Sequence, residues 1–224
     1  MRKVEVSIIT PTYNRRKFIP ILIKCILQQT YPLEKIEWLI YDDGEDKIED
    51  LVKDLDFVRY FSSDEKKYLG EKRNFLNENA RGKYIVCMDD DDYYPPERVS
   101  HAVAKLKSTT YQLVGNSCLF IYHASHKKIT SLGPFTIYHS CNGALAYKKE
   151  YTKTHRYIDK REKGEEPNFL NNFREPLLQL NPFKTMLCID HGTNTVEKKL
   201  SRPSELTLLN FVQDKEIREF YEIL

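Results

Sequence analysis

The sequence predicts an α/β fold with a mostly parallel central sheet and helices on both faces. Three observations carry that expectation. Segments 4–10, 36–41 and 83–88 are nearly continuous apolar runs rather than alternating ones, as strands covered on both faces read. Stretches with apolar residues at helical spacing lie between these runs, giving a β-α-β-α-β order. Each run also stops at polar residues: Pro11-Thr12-Tyr13-Asn14-Arg15, Asp42-Asp43-Gly44 and Asp89-Asp90-Asp91-Asp92. In such sheets ligands bind beyond the carboxyl ends of the strands, so these three groups are expected on one rim.

The elements follow in order. Segment 4–10 is a strand, broken by Pro-Thr-Tyr-Asn. Segment 17–29 is a helix, with Phe18, Ile19, Leu22, Ile23, Ile26 and Leu27 on one face. Strand 36–41, a short helix at 48–55, strand 58–61, helix 70–80 and strand 83–88 complete the first half. Segment 95–107 reads as a helix with proline at its start, where the missing N–H costs nothing. Segments 113–115, 118–124 and 128–132 read as strands of a hairpin or meander. A short strand at 144–147, a short helix at 165–173, a strand at 186–190 and a helix over 204–224, capped by Ser204, finish the chain. The expected organisation is one domain, dividing into halves at residues 1–92 and 93–224.

Composition excludes several classes. Thirty-five Lys and Arg against 33 Asp and Glu argue against a chain held on nucleic acid by bulk charge. Fifteen Tyr and 41% apolar residues argue against disorder. No run approaches the ~18 apolar residues that span a bilayer, and the start lacks the pattern of a signal peptide. Five scattered cysteines without a C-x-x-C disfavour a disulfide framework or zinc module and predict a reducing, cytoplasmic location. The sequence carries no signal for oligomeric state.

Four aspartates directly after a buried strand repel one another. Most acidic runs are solvated loops, but this one abuts a strand end and continues into Tyr93-Tyr94-Pro95-Pro96. A hard cation, Mg²⁺ or Mn²⁺, would relieve the repulsion.

Four motifs occur in order: Val-Ser-Ile-Ile-Thr-Pro-Thr-Tyr-Asn-Arg at 6–15, Tyr-Asp-Asp-Gly at 41–44, Gly-Glu-Lys-Arg-Asn at 70–74 and Gly-Lys-Tyr-Ile-Val-Cys-Met-Asp-Asp-Asp-Asp at 82–92. Together they resemble family 2 glycosyltransferases of the GT-A fold, a Rossmann-like nucleotide-diphospho-sugar transferase architecture. The resemblance is dense over 4–100 and thinner to about 195, and it implies a nucleotide-binding half at 1–92 and an acceptor-side half at 93–224 with the C-terminal helix. The Gly-Glu-Lys-Arg-Asn variant, the compact size and the lysine content resemble members encoded by large DNA viruses, which would place the protein in a host cytoplasm.

The resemblance implies roles residue by residue. Pro11 and Tyr13 match positions that pack on the base and ribose, and Asp43 matches the carboxylate that reads the base. Of the basic pair Lys72 and Arg73, Arg73 is expected near the phosphates. The acidic run matches a D-x-D signature in one of two registers, 89–91 or 90–92. Asp91 is the expected metal ligand and Asp90 lies near the ribose; Asp89 is also expected at the metal, or orienting the loop or a bound water. His191 resembles a further ligand to metal or diphosphate. Gly164-Glu165-Glu166-Pro167 resembles the family's E-D motif with Glu in the second place. Glu166 then fits the general base of an inverting transfer, with Glu165 as second choice. Without the resemblance both would read as helix N-terminal acids. The basic segment 148–163 is a solvated face or meets a pyrophosphate or acidic acceptor.

The implied function is metal-dependent, inverting transfer of a sugar from a nucleotide-diphosphate donor, UDP-sugar favoured, to a hydroxyl acceptor such as a glycan. The rivals are a nucleotidyltransferase, which usually has a glycine-rich first loop that this chain lacks, and a non-catalytic nucleotide-sugar-binding module. A dehydrogenase is disfavoured because no G-x-G-x-x-G follows the first strand.

Overall fold

The structure is a computed structural model that describes residues 3–200 and 202–224. In chain order its main elements are β1 (Val6–Thr12), α1 (Ile19–Leu27), β2 (Ile36–Asp42), α2 (Glu49–Val52), β3 (Val58–Ser62), α3 (Leu69–Asn79), β4 (Tyr84–Cys87) and α4 (Arg98–Lys107). There follow β5 (Leu113–Gly115), β6 (Leu119–His123), β7 (Lys128–Leu132), β8 (Ala146–Lys148), α5 (Glu166–Phe169), β9 (Leu177–Gln179), β10 (Cys188–Asp190), β11 (Arg202–Pro203) and α6 (Lys215–Glu222).

Seven strands form one sheet in the order β3-β2-β1-β4-β8-β5-β9, and four form a second, β10-β6-β7-β11. The β1–β4 pairs are parallel, as the continuous apolar runs predict. Alternation explains those runs. Val6, Ile8, Trp38, Ile40 and Val86 enter one core cluster, whereas Ile9, Leu39, Ile85 and Cys87 enter the other. Successive side chains point to opposite faces, so a strand with a core on each side has no polar positions to spare.

Five expectations need correction. The first strand does not stop before Pro11 but runs through Thr12, with Pro11 opposite Tyr41; a proline at a strand end removes little pairing. Segment 113–115 is not part of a hairpin: β5 lies in the large sheet, antiparallel to β8 and parallel to β9. Only β6 and β7 make the hairpin. The strands β9 and β11 were unanticipated, being three and two residues long. The helix expected over 165–173 ends at Phe169, because Asn171, Asn172 and Phe173 take positive φ. No helix starts at Ser204. α6 begins at Lys215, where the Asp214 side chain accepts the Ile217 N–H at 3.0 Å, the N-cap bond that Ser204 was expected to provide.

One glycine fixes the frame of the site. A Cβ on Gly70, at the start of α3, would lie 2.0 Å from the Ile158 carbonyl oxygen, and the Gly70 N–H donates to Arg161 O at 3.1 Å. The backbone of 158–161 therefore lies directly on the first turn of α3, and it leads into the Glu165-Glu166 pair.

Candidate active site

A cleft of about 370 Å³ opens at the carboxyl ends of β1 and β4. Pro11 and Tyr13 line it from the first strand end, Arg73 from α3, and Asp89, Asp90 and Asp91 from the acidic run. Glu165 and Glu166 close the far side. Asp43 and His191 each sit one side chain behind the wall, Asp43 behind Lys72 and His191 behind Asp91.

The Asp42-Asp43 pair divides its work. Asp42 shapes the turn: Oδ1 accepts the Gly44 N–H at 2.9 Å, and Oδ2 accepts the Ile48 N–H at 3.0 Å and the Tyr60 hydroxyl at 2.7 Å. Asp43 lies behind Lys72, and its side chain is fully covered. Its Oδ1 accepts Lys72 Nζ at 2.6 Å and its Oδ2 the Lys67 N–H at 2.7 Å. Lys72 also donates to Thr12 O at 3.1 Å. Sequence reasoning preferred Arg73 to Lys72; the structure gives both a place, Lys72 at the carboxylate and Arg73 deeper. Tyr13 lies under Lys66, whose Nζ is 4.5 Å from the ring centroid.

Arg73 joins the two acidic clusters. Its Nε donates to Glu165 Oε1 at 3.0 Å and its Nη2 to Asp89 Oδ1 at 2.9 Å. Burial alone would disfavour the charge, but Asp89 and Glu165 outweigh it and hold the guanidinium well above its usual range. Nη1 is buried with no partner among the described residues.

The four aspartates are not equivalent. Asp89 belongs to Arg73. Asp90 is buried, and burial followed by the charge of Asp91 pushes its carboxyl well up. Asp92 accepts the Ile189 N–H at 2.9 Å and ties the run to β10; burial and Asp91 push it up to about 7. Asp91 differs. Burial would raise it, but the His191 hydrogen bond and the charges of His191 and Arg15 hold it below the usual range. His191 Nε2 lies 2.9 Å from Asp91 Oδ2, and Nδ1 is anchored on Thr193 Oγ1 at 2.9 Å. Arg15 Nε stands 3.6 Å from the same oxygen. Raised neighbours around one ionised carboxylate are the expected response of acids packed together.

Glu165 is locked. Its Oε1 also accepts Asn142 Nδ2 at 2.8 Å. Glu166 is held more loosely: Oε1 accepts the Asn142 N–H at 3.2 Å, and its own backbone N–H also bonds the carboxyl. Burial, then the charge of Glu165, raises its carboxyl. Asn142 is held in turn by Tyr157, whose hydroxyl donates to Oδ1 at 2.7 Å. No sequence pattern pointed to this role, nor to that of Arg98. It is fully buried on α4, and its Nη2 donates to the carbonyls of Cys87, Gly143 and Leu145 at 3.1, 3.1 and 2.8 Å. That bond set clamps the acidic run's strand to the Asn142 segment.

Among the described residues no group of three or more His, Cys, Asp or Glu side chains is arranged to hold a metal ion. Asp91 and His191, bonded to each other at 2.9 Å, are the two side chains that could take part in holding a hard cation, with phosphate oxygens and water completing its shell.

Comparisons place this fold among known proteins. The sequence model of glycosyl transferase family 2 matches residues 7–174. An uncharacterized glycosyltransferase of Rickettsia bellii is 34% identical over 131 residues, which is 53% of this chain and 19% of that protein. The chain spans about a fifth of the length of the Rickettsia relatives it matches. Among solved structures, S. aureus TarS 1–349 in complex with UDP-GlcNAc superposes with a TM-score of 0.70 at 17% identity, covering 86% of this chain and 60% of that one. A mannosyltransferase of Pyrobaculum calidifontis in complex with GDP-Man and Mn²⁺ gives 0.63 at 17% identity, over 83% and 56%. No helix among the described residues is long and apolar enough to cross a membrane.

Proposed function

The chain belongs to glycosyl transferase family 2 and has the GT-A fold, and from that premise we propose that it transfers a sugar, with inversion, from a nucleotide-diphosphate donor to a hydroxyl acceptor. The observation that carries the reading is the convergence of Glu166, Arg73 and the acidic run on one cleft. A non-catalytic binding module needs no raised, loosely held carboxylate opposite the acidic run.

In this reading Pro11 and Tyr13 flank the base and ribose, Asp43 with Lys72 reads the base edge, and Asp90 faces the ribose. Arg73 Nη1 is turned to the phosphates. Mn²⁺ or Mg²⁺, held by Asp91 and His191, would supply charge neutralisation for the leaving diphosphate. The Glu166 carboxylate accepts the proton of the acceptor hydroxyl. The acceptor oxygen forms its bond to the anomeric carbon as the bond to the diphosphate oxygen breaks, and the nucleoside diphosphate leaves with that electron pair. Asn142 and Tyr157 keep Glu166 aimed, and Glu165 neutralises Arg73. UDP is the favoured nucleotide, by analogy with the UDP-GlcNAc complex of TarS; the GDP-Man complex is the alternative. The direct test is release of nucleoside diphosphate from a panel of UDP- and GDP-sugars with Mn²⁺ present.

Two predictions arise here. Chelation of divalent ions is expected to weaken UDP binding by roughly 10–100-fold, the usual cost of disturbing a metal site, and Asp91→Ala should match it. Titration calorimetry in EDTA and in Mn²⁺ decides; equal affinities would remove the metal. The second concerns Asp43. Asp43→Asn keeps the shape but unpairs the buried Lys72. It should cut the preference for UDP over GDP and ADP by about tenfold, since an unmet polar group costs roughly 1–3 kcal/mol. An equal loss for all three nucleotides would reduce Asp43 to a loop support.

A further inference from the structure

After β10 the chain turns back over the cleft. His191 leads into residues 192–200, which contain no helix or strand. The first half of this segment is tied down. Arg15 Nη2 donates to Thr193 O at 2.7 Å, the His191 N–H to Asn194 Oδ1 at 3.0 Å, and Asn194 Nδ2 to Ile189 O at 2.9 Å. The second half lies along the opening: Thr195, Val196 and Lys198 line the cleft together with the four aspartates. Its outer side is open to solvent, with Val196 48% and Leu200 56% exposed.

Lys198 is the charged side chain that this strap turns inward. Its ammonium donates to the Cys188 thiol. Cys188 is the first residue of β10, and the next, Ile189, gives its N–H to Asp92 Oδ1 at 2.9 Å. Lys198 and Asp92 therefore meet adjacent residues of one short strand, and the charge of the lysine reaches the carboxyls of both Asp91 and Asp92. A thiol is a weak acceptor, and an ammonium withdrawn from water needs an opposite charge nearby. The aspartates, more than the thiol, hold Lys198 in place.

The other cations of the run are already engaged. Asp89 has Arg73, and Asp91 has His191 and Arg15. Each of these sits on an element of the fold or on the tied half of the strap. Lys198 alone among them is carried by the untied half, where little besides the field of the acids fixes it.

We propose that Lys198 is a built-in cation of the acidic run and the latch of the 192–200 strap, and that a divalent ion must displace it to bind at Asp91 and His191. This rests on the reading of Asp91 and His191 as metal ligands. A charge within ~4–6 Å shifts the proton affinity of a carboxylate by roughly one to three decades, and a divalent ion entering beside the ammonium meets the same opposition. Once the ion satisfies the aspartates, the lysine loses what held it. Because Thr195, Val196 and Lys198 form part of the cleft wall, their release widens the opening, so ion binding and nucleotide entry are coupled.

The test uses Mn²⁺ alone, without nucleotide, and titration calorimetry on the wild type, Lys198→Gln and Lys198→Arg. Lys198→Gln should bind Mn²⁺ about tenfold tighter than the wild type, and Lys198→Arg, which keeps the charge, should stay within about twofold. Adding Asp91→Ala to Lys198→Gln should remove the gain, which ties it to the acidic run. Thermal melts confirm that each variant is folded. Limited trypsin digestion gives a second readout: Mn²⁺ should speed cleavage of the wild type after Lys198 and Lys199, since the freed strap reaches the protease. Equal or weaker Mn²⁺ binding by Lys198→Gln overturns the inference, as does strap cleavage that Mn²⁺ leaves unchanged. If Lys198→Gln instead weakens UDP binding in EDTA while Mn²⁺ affinity stays the same, the lysine is a phosphate contact and not a latch. Nucleotide release from sugar donors by the wild type is measured alongside: its absence counts against the transferase reading, whereas the Mn²⁺ comparison counts for or against the latch.

Discussion

Glu166→Gln is expected to lower sugar transfer by about 10²–10⁴-fold while donor affinity stays nearly intact. Glutamine keeps the size and the bond to the Asn142 N–H but cannot accept a proton. The base acts in the transition state, whereas the donor is held by the first strand end and the acidic run, so the loss should fall on kcat. The pH profile gives a second readout. Burial and the nearby Glu165 raise the Glu166 carboxyl, and the base works only when ionised. Turnover should therefore fall on the acid side, starting at a higher pH than an ordinary glutamate would set, and this limb should vanish in Glu166→Gln. Glu165→Gln should behave differently, because Glu165 is bound by Arg73 and Asn142. If Glu165→Gln abolishes turnover and Glu166→Gln is mild, the two roles are exchanged. Full activity in both would move the base elsewhere. A product that keeps the donor's anomeric configuration would remove the single-base mechanism.

The sheet was legible because burial on two faces writes itself into the residues. Ile8 and Ile9 enter opposite cores, which forces the continuous apolar run that marks a parallel strand. Short strands were legible as strands, at 113–115 and 144–147, but not in how they pair. β8 is three residues long, and its insertion between β4 and β5 is fixed by cross-strand pairing, not by its own composition. Periodicity also misled near the end of the chain. Leu208, Phe211, Val212, Ile217 and Tyr221 are all buried, and their spacing suggests one helix. They instead fall on a turn that ends at Phe211 and a helix that starts at its own cap, Asp214, with Val212 between the two.

In the site, the acidic run and the glutamate pair were visible from chain order, as was the rim they share. What they bond to was not. The Lys72–Asp43 bond spans 29 residues and the Arg73–Glu165 bond 92, and no local pattern encodes a partner at that distance. The Asn171-Asn172 pair was the one available warning of the left-handed turn, because asparagine favours that region.

Arg73→Ala should cost about 3–5 kcal/mol of folding stability, the usual result of removing one member of a buried ion cluster. Arg73 is 2% exposed and bridges Glu165, itself 5% exposed, to Asp89. Its loss leaves one carboxylate buried without its cation and unties the acidic run from the Glu165-Glu166 segment. Set against a typical total of about 5–15 kcal/mol, this is enough to populate the unfolded chain near physiological temperature. Urea unfolding measures it. Arg73→Lys separates support from ligand contact. Lysine keeps the charge but, as a point cation, cannot serve Glu165, Asp89 and a phosphate together. It should recover part of the stability and little of the UDP affinity if Nη1 meets the diphosphate. A double-mutant cycle of Arg73→Lys with Glu165→Gln should show coupling of about 1–3 kcal/mol, as expected for contacting groups in one network. A stability loss under about 1 kcal/mol in Arg73→Ala, within the range of an exposed pair, would show that the cluster does not hold the site together.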